Sequence, residues 1–478
     1  MVTSGHTDKL GHHGLSRHPI SESESVLMRA APRTFLIATL TLTFVGTVTT
    51  TAMAGKPKKG TATTTTTTTT TTTVVPPVTS TSPVRVVAST QPVVDLSLKT
   101  WQPDDLYARG GSLTSSTSPI ARTGADALYQ HARVGVTGYD VPVATAATYF
   151  VDLFTSETDD AAIGQRVWNV TAEGKSVVTD VDTVRDAGPN TASHVLFAVP
   201  VTDGTLNIRI AATVGNAVVD AVEVDYEKAA TAASTLFNDD FNGTTGTTPT
   251  TSKWGYALGG NGWGNNELET YTNRASNASV DGAGNLDITA RHETFTGGDG
   301  ITRDYTSARL TTANTFSFQY GTAVARMRVP AGQGLFPAFW ALGTNRSTVG
   351  WPLCGEMDIM ENHGNELSTV HATSVAALQL DPTTKWTSST STDAAAPLSA
   401  DFHTYGLVWG PGAMAMTLDG RTYFSLAATD IPTTMLWNFN HPFFLLLDLA
   451  VGGTAPGSPD ATTPFPATMS VDYVRVTG

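Results

Sequence analysis

One cysteine in 478 residues leaves no partner for an internal disulfide. Cys354 sits beside an acid-rich strand, and reads as a small buried core residue rather than a nucleophile. Charge is also sparse, at 15 % of residues against 40 % apolar, and basic residues are the scarcer kind: 28 Lys and Arg against 42 Asp and Glu, a net charge of −14. That balance argues against nucleic acid or an anionic membrane as partner and suits a neutral polymer. After residue 84 no stretch carries a convincing 3.6-residue apolar repeat, so an α-helical core is excluded. Abundant Gly, Thr and Val point to β structure, and the length permits two or three domains, each with an ample core.

Residues 1–54 read as an N-terminal extension ending in a secretory signal. Arg29 and Arg33 precede an apolar run, Phe35 to Ala54, which closes on Ala52-Met53-Ala54. An uncleaved membrane anchor is the alternative, but seven threonines make the run weakly apolar for a permanent span. Either Met1 or Met28 serves as the start. Residues 55–83 hold eleven consecutive threonines, Thr63 to Thr73, followed by a Val/Pro/Ser/Thr stretch, and read as an extended linker that builds no core. The expected location is extracellular, with no membrane contact after signal cleavage.

From 84 to 228 the pattern is one of short alternating strands, among them Ala147 to Phe154, Gln165 to Val170, Leu206 to Ala212 and Ala217 to Tyr226, parted by Gly, Asp and Pro. This predicts a smaller β-sandwich. The segments LYQHARVG, YDVPV, GQRVWNVTAEGKSVVTDVD and TDGTLNIRIAATVGNAVVDAVEV resemble malectin-like carbohydrate-binding modules. That resemblance implies contact with cell-wall or other glycan. Where such modules carry sugar-contacting aromatics and an aspartate, this chain has Val134, Thr158, Asp159 and Gly215, which leaves a structural spacer as the other reading. Residues 229–234 read as a hinge and 235–478 as the second domain. In that domain Thr322 to Val329 alternates as a strand with one buried face, and Met414 to Leu426 reads as a hairpin turning on Asp419-Gly420.

The densest chemistry is Gly355-Glu356-Met357-Asp358-Ile359-Met360-Glu361-Asn362-His363-Gly364. On a strand, Glu356 and Asp358 share a face, and Glu361 falls out of step by one residue. A β-bulge between Ile359 and Glu361 returns the third acid to the first two. Three like charges on one face raise one another's pKa and repel by about 1 kcal/mol or more when partly desolvated, a cost that suggests a use. Glycoside hydrolysis needs two carboxyl groups flanking the scissile bond, about 5 Å apart for retention and roughly 6.5–9.5 Å for inversion. Asp358, between the two glutamates, would hold their titrations apart. By chance alone, however, such a string belongs more often to a solvated helix face.

Around the acids stand GGNGWGNNELETYT (Gly259 to Thr272), TSARLTT (Thr306 to Thr312), GQGLFPAFWALG (Gly332 to Gly343), FHTYGLVW (Phe402 to Trp409) and the closing stretch His441 to Val476. In this order, over nearly all of 235–478, they resemble family 16 glycoside hydrolases, and in particular bacterial endo-β-1,3-glucanases of the laminarinase kind. The resemblance implies an all-β, jelly-roll sandwich with a concave substrate cleft, and double-displacement hydrolysis of laminarin-type β-glucan. It implies Glu356 as nucleophile, Asp358 as assisting carboxylate and Glu361 as acid/base, with no cofactor in the chemistry. It also places His371 on the next strand, near enough to Glu361 to share its proton.

A sugar cleft needs flat rings and polar ends. Trp263, Trp340 and Phe336 are the candidate rings, Asn266 and Glu267 the polar ends, and Arg326 lines the cleft or faces solvent. The resemblance further implies a structural calcium on the convex side, held by Asp240 and Asp472, whose hard oxygens suit that ion. Two departures weaken the substrate reading more than the reaction. Thr454-Ala455 stand where the family usually has a sugar-stacking tryptophan, and Asp448 stands where it has an asparagine. A mixed-linkage or galactan-cleaving relative remains an alternative within the family. A non-catalytic glucan-binding protein is the alternative outside enzymes, although such proteins typically lose one of the acids that are all present here.

Overall fold

The computed structural model describes residues 83–143, 146–159, 161–229 and 234–478. The signal and linker readings, and most of the expected hinge, lie outside the described residues. Among the described residues no helix is long and apolar enough to cross a membrane.

Residues 84–229 form a sandwich of two antiparallel-rich sheets. The expected Ala217 to Tyr226 strand is broken at Asp220. Val218–Val219 pairs with His131–Pro142 in one sheet, and Ala221–Ala229 pairs with Ala147–Thr155 in the other. The core between the sheets is mostly valine, with Trp168 fully buried.

The second sandwich packs a ten-stranded sheet on a seven-stranded one. The seven strands run Gly255–Tyr256, Arg309–Thr311, Phe443–Val451, Leu335–Gly343, Glu356–Glu361, Thr369–Ala377 and Lys385–Asp393, each antiparallel to the next. Period-two alternation sends Leu335, Phe339, Ala341, Met357, Leu445, Leu447 and Leu449 into one core against Ala323, Ala325 and Met327 of the other sheet. Their neighbours in sequence form the outer face of the seven-stranded sheet. The predicted alternating strand is Gly321–Arg328, and the predicted hairpin is Ala413–Leu418 with Arg421–Ala427. Asp419 and Gly420 at its turn have φ of 52° and 80°, the doubly positive pattern of a tight two-residue hairpin.

The two sandwiches meet across a buried ionic contact. His194 of the first points Nδ1 at Asp152 Oδ1, 2.9 Å away, and Nε2 at Asp430 Oδ2 of the second, 2.5 Å away. The Tyr129 hydroxyl donates to the other oxygen of Asp430 at 2.9 Å. Phe150 and Leu196 pack beside it on Ala413, Ala415 and Ala427. Gly410 allows that approach, since a Cβ there would stand 2.3 Å from the Phe150 ring. Burial alone would lower the imidazole's pKa, but Asp152 and Asp430 outweigh it and hold it at about 10.

A group whose folded pKa is raised adds stability below its unfolded value and loses it as pH climbs to the folded one. Melting temperature should therefore fall between about pH 6.5 and about pH 10. His194→Ala should flatten that fall, and by leaving two carboxylates buried without a cation it should cost about 3–5 kcal/mol at neutral pH. An alanine variant with unchanged stability and an unchanged pH slope in a thermal-melt series would remove the contact from this account.

Candidate active site

The three acids do share one face, and the bulge is what aligns them. Against the Leu335–Gly343 strand, Asp358 pairs with Trp340 and Met360 with Phe339, so Ile359 is the extra residue. Against Thr369–Ala377, Asp358 pairs with Thr373 and Glu361 with His371. Ile359 and Met360 both enter the core and are fully buried, which lets Glu361 surface beside Glu356 and Asp358. Ile359's carbonyl accepts a 2.6 Å hydrogen bond from Tyr423, a buried side chain of the opposite sheet.

Strand register lays out the floor in rows. Glu356 lies between Val375 and Leu342, Asp358 between Thr373 and Trp340, and Glu361 between His371 and Ala338. Beyond Ala338 comes Asp448, and beyond that Arg309. A small alanine thus separates Glu361 from a second buried carboxylate.

Burial is the main reason all three acids titrate high. Glu356 rises only to about 6, because a hydrogen bond from Trp351 and the charges of Arg309, Lys385 and Arg346 favour its ionised form. Glu361 is pushed to about 8 by burial and then by the charges of Glu356 and Asp448, with one weak donor, Thr373, opposing. Asp358 goes well above the usual carboxylate range, from burial and the two glutamates on either side. Near pH 7 the site therefore holds Glu356 ionised and Glu361 protonated, a nucleophile or base beside an acid.

Asp448 ties the far wall together. Its Oδ1 accepts from Trp340 Nε1 at 2.7 Å and from Arg309 Nε at 3.2 Å, and its Oδ2 from the Tyr271 hydroxyl at 3.3 Å. The Arg309 guanidinium lies 4.7–5.2 Å from the ring centroids of Trp263, Tyr271 and Trp340. Trp263 and Trp340 are thus fixed around one cation, on the face that carries the acids. The added charge of Asp448 is neither exposed nor free, being 2 % accessible and paired. Nothing in the sequence alone singles out Arg309 or Tyr271. The one available signal was TSARLTT beside a strand, which marks the arginine without showing what it pairs.

Phe336 and Trp340 lie on the cleft face of one strand, and the Phe336 ring packs 5.5 Å from His363. Asn266 reaches the cleft margin, where its amide donates to Thr454 at 3.0 Å. Next to that threonine is Ala455, which stands where the family usually has its stacking ring. Glu267 is buried and accepts from Tyr271 at 3.0 Å, so it supports the wall rather than offering a free polar end. His371 stands opposite Glu361 in the ladder, but its Nε2 bonds Glu366 at 2.5 Å. The expected partner of the histidine is replaced by a glutamate from the intervening turn.

Arg326 is a correction: it belongs to the other sheet and donates to Asp472 at 2.6 Å. Period two told correctly that it points outward, but not from which sheet. Asp240, likewise, accepts from Arg475 at 2.9 Å and Asn238 at 2.6 Å, which hold its carboxyl below the ordinary range. A calcium ion would meet two carboxylates whose charge guanidinium groups already balance, so Asp240 and Asp472 do not fit that ion.

The family model described as "Glycosyl hydrolases family 16" matches residues 265–475, and that described as "Malectin domain" matches 85–233. The chain is 41 % identical over 242 residues to a beta-glucanase of Rhodothermus marinus, covering 48 % of this chain and 80 % of the relative. It is 36 % identical over 256 residues to a glucan endo-1,3-beta-glucosidase of Cryptopygus antarcticus, covering 50 % and 90 %. Among solved structures it matches the endo-beta-1,3-glucanase from Pyrococcus furiosus at 39 % identity and a TM-score of 0.47, over 52 % of this chain and 94 % of that one.

The arginine pairing makes a prediction for stability. In protein already stripped with chelator, adding calcium should leave the melting temperature unchanged, because Asp240 and Asp472 are already paired with Arg475 and Arg326. A bound calcium at a hundredfold excess over Kd would add about 2.7 kcal/mol. A melt that drops with chelator and recovers with calcium would restore the ion to the convex face.

Proposed function

This chain belongs to glycosyl hydrolase family 16, and from that premise we propose that it is a secreted, retaining endo-β-1,3-glucanase acting on laminarin-type glucans. The observation that carries the mechanism is the unequal pair of glutamates on one face, Glu356 at about 6 and Glu361 at about 8. Support for the substrate comes from the relatives named beta-glucanase and glucan endo-1,3-beta-glucosidase. The run of basic flank, apolar centre and small-residue ending before Gly55 supports secretion.

In the first step the ionised Glu356 carboxylate attacks the anomeric carbon as Glu361 gives its proton to the departing glycosidic oxygen. In the second, Glu361 takes a proton from water, which attacks the same carbon and frees Glu356. Two inversions leave the configuration as it began. Asp358, wedged between them in a dry site, keeps the two titrations apart. Trp263 and Trp340, held by Arg309 and Asp448, give the sugar rings flat faces.

The N-terminal sandwich is proposed to contact glycan, on the strength of its malectin match. Asp159, which stands at one of the four positions where such modules carry sugar-contacting residues, is bridged to Arg166 at 2.9 Å, and a structural spacer is the second reading. Pull-down on insoluble glucan separates the two: binding lost when 84–228 is removed supports glycan contact.

Proton NMR of fresh hydrolysate should show the β anomer first. The dependence of kcat/KM on pH should be a bell with limbs near 6 and 8, since Glu356 is protonated below the first and Glu361 deprotonated above the second. Glu361→Ala should lose roughly 10²–10⁴ in turnover on glucan. It should still react with an activated aryl glycoside, giving a β-glycosyl azide when azide is supplied. Glu356→Ala should give the α azide instead. An α azide from Glu361→Ala would reverse the two roles, and initial α product from the unaltered protein would exclude retention. Reducing-sugar release should be fastest on linear β-1,3-glucan in a panel with lichenan, agarose and xylan; a different winner would move the chain to one of the alternative substrates.

A further inference from the structure

The turn that follows the acid strand gathers two imidazoles and a carboxylate outside the row of acids. His363 and His371 stack with ring centroids 4.6 Å apart and planes at 27°. Glu366 reaches both: its Oε2 is 2.5 Å from His371 Nε2, and its Oε1 is 3.5 Å from His363 Nδ1. One donor atom from each residue lies within 4.8 Å of the other two, and among the described residues no other triple of His, Cys, Asp or Glu meets that condition.

We propose that His363, Glu366 and His371 form a binding site for a borderline divalent cation of the zinc or copper class, set on the margin of the cleft. The donor set selects the ion, because imidazole nitrogens suit zinc, copper, nickel and cobalt, whereas calcium and magnesium prefer oxygen alone. Three protein ligands leave the fourth tetrahedral position open to water or substrate. Tetrahedral donors at bonds of about 2.1 Å stand about 3.4 Å from one another, so the Glu366–His371 pair must open and the stacked rings must turn until their in-plane lone pairs meet at the ion. All three side chains are partly exposed, at 22 %, 37 % and 27 %, and an ion reaches them without opening the core. Phe336 packs against His363 and limits how far that ring swings away. Binding puts the cation in place of the hydrogen bond between Glu366 and His371.

The position gives the ion an effect. His371 is directly opposite Glu361, so a bound cation and its water stand beside that carboxylate, in space a sugar unit must enter. The cation is therefore an inhibitor that competes with substrate. This consequence rests on the hydrolase reading, whereas the site itself does not.

Cobalt is the direct probe, since its visible absorption reports tetrahedral nitrogen and oxygen ligands without any substrate. The full chain, stripped with chelator, should bind cobalt with that absorption, and zinc should displace it. His363→Ala and the near-isosteric Glu366→Gln should each weaken cobalt binding by at least about tenfold. His6, His12, His13 and His18 are common to all three proteins, so the difference between them belongs to the cluster. Zinc inhibition, scaled to each protein's own chelated rate, should weaken in the same order. Equal cobalt affinity in the unaltered protein and both variants would overturn the site. Because that titration involves no hydrolysis, its failure leaves the glucanase reading intact, and inactivity on every glucan leaves the cation site intact.

Discussion

The site depends on one extra residue in one strand. Without the insertion at Ile359, strict alternation would turn Glu361 into the core beside Met357, where an unpaired carboxylate costs several kcal/mol, and would lift an apolar side chain into the cleft. A bulge also removes a carbonyl from its ladder, and a buried unpaired carbonyl costs about 1–3 kcal/mol. Tyr423 prevents that by donating to Ile359 from the facing sheet. The alignment of the acids is thus supported from the opposite side of the sandwich, by a side chain that never touches the cleft.

Electrostatics then makes unlike groups of like residues. Glu356 stands where Trp351 donates to it and where Arg309, Lys385 and Arg346 contribute positive charge, whereas Glu361 has Glu356 and Asp448 as its charged neighbours and a distant threonine as donor. The difference separates the two titrations by enough for one to attack while the other donates. Asp448 serves both ends of this arrangement. It raises Glu361, and through Arg309 it fixes the tryptophans that a sugar would stack upon. An asparagine there would keep the hydrogen bond to Trp340 and lose the charge, so this departure from the family's usual residue bears on acidity as well as on shape.

Much of this was legible in the sequence, because alternation and turn chemistry are local. The face shared by Glu356 and Asp358, the bulge, the Gly321–Arg328 strand and the Asp419-Gly420 hairpin all follow from neighbours in the chain. What failed was long-range pairing. Period two turns Arg326 outward, but its partner Asp472 is 146 residues away, on the neighbouring strand of the ten-stranded sheet and not on the sheet that carries the acids. His371 was expected to serve Glu361, and Glu366, five residues before it in the turn, takes its nitrogen. The His194–Asp430 contact joins residues 236 apart from two sandwiches, and no motif announces it. The expected strand through Asp220 broke because a sheet change looks the same as a continuous apolar run.

The central claim is that the bulged strand presents Glu356, and not Glu361, to the anomeric carbon. Trapping tests it most directly. A 2-deoxy-2-fluoro glycoside with a good leaving group should form a stable ester with the protein, and peptide mass mapping should place one label on Glu356. A label on Glu361 would contradict the assignment, and turnover of that reagent by initial inversion, with no label on any carboxylate, would contradict the double displacement itself.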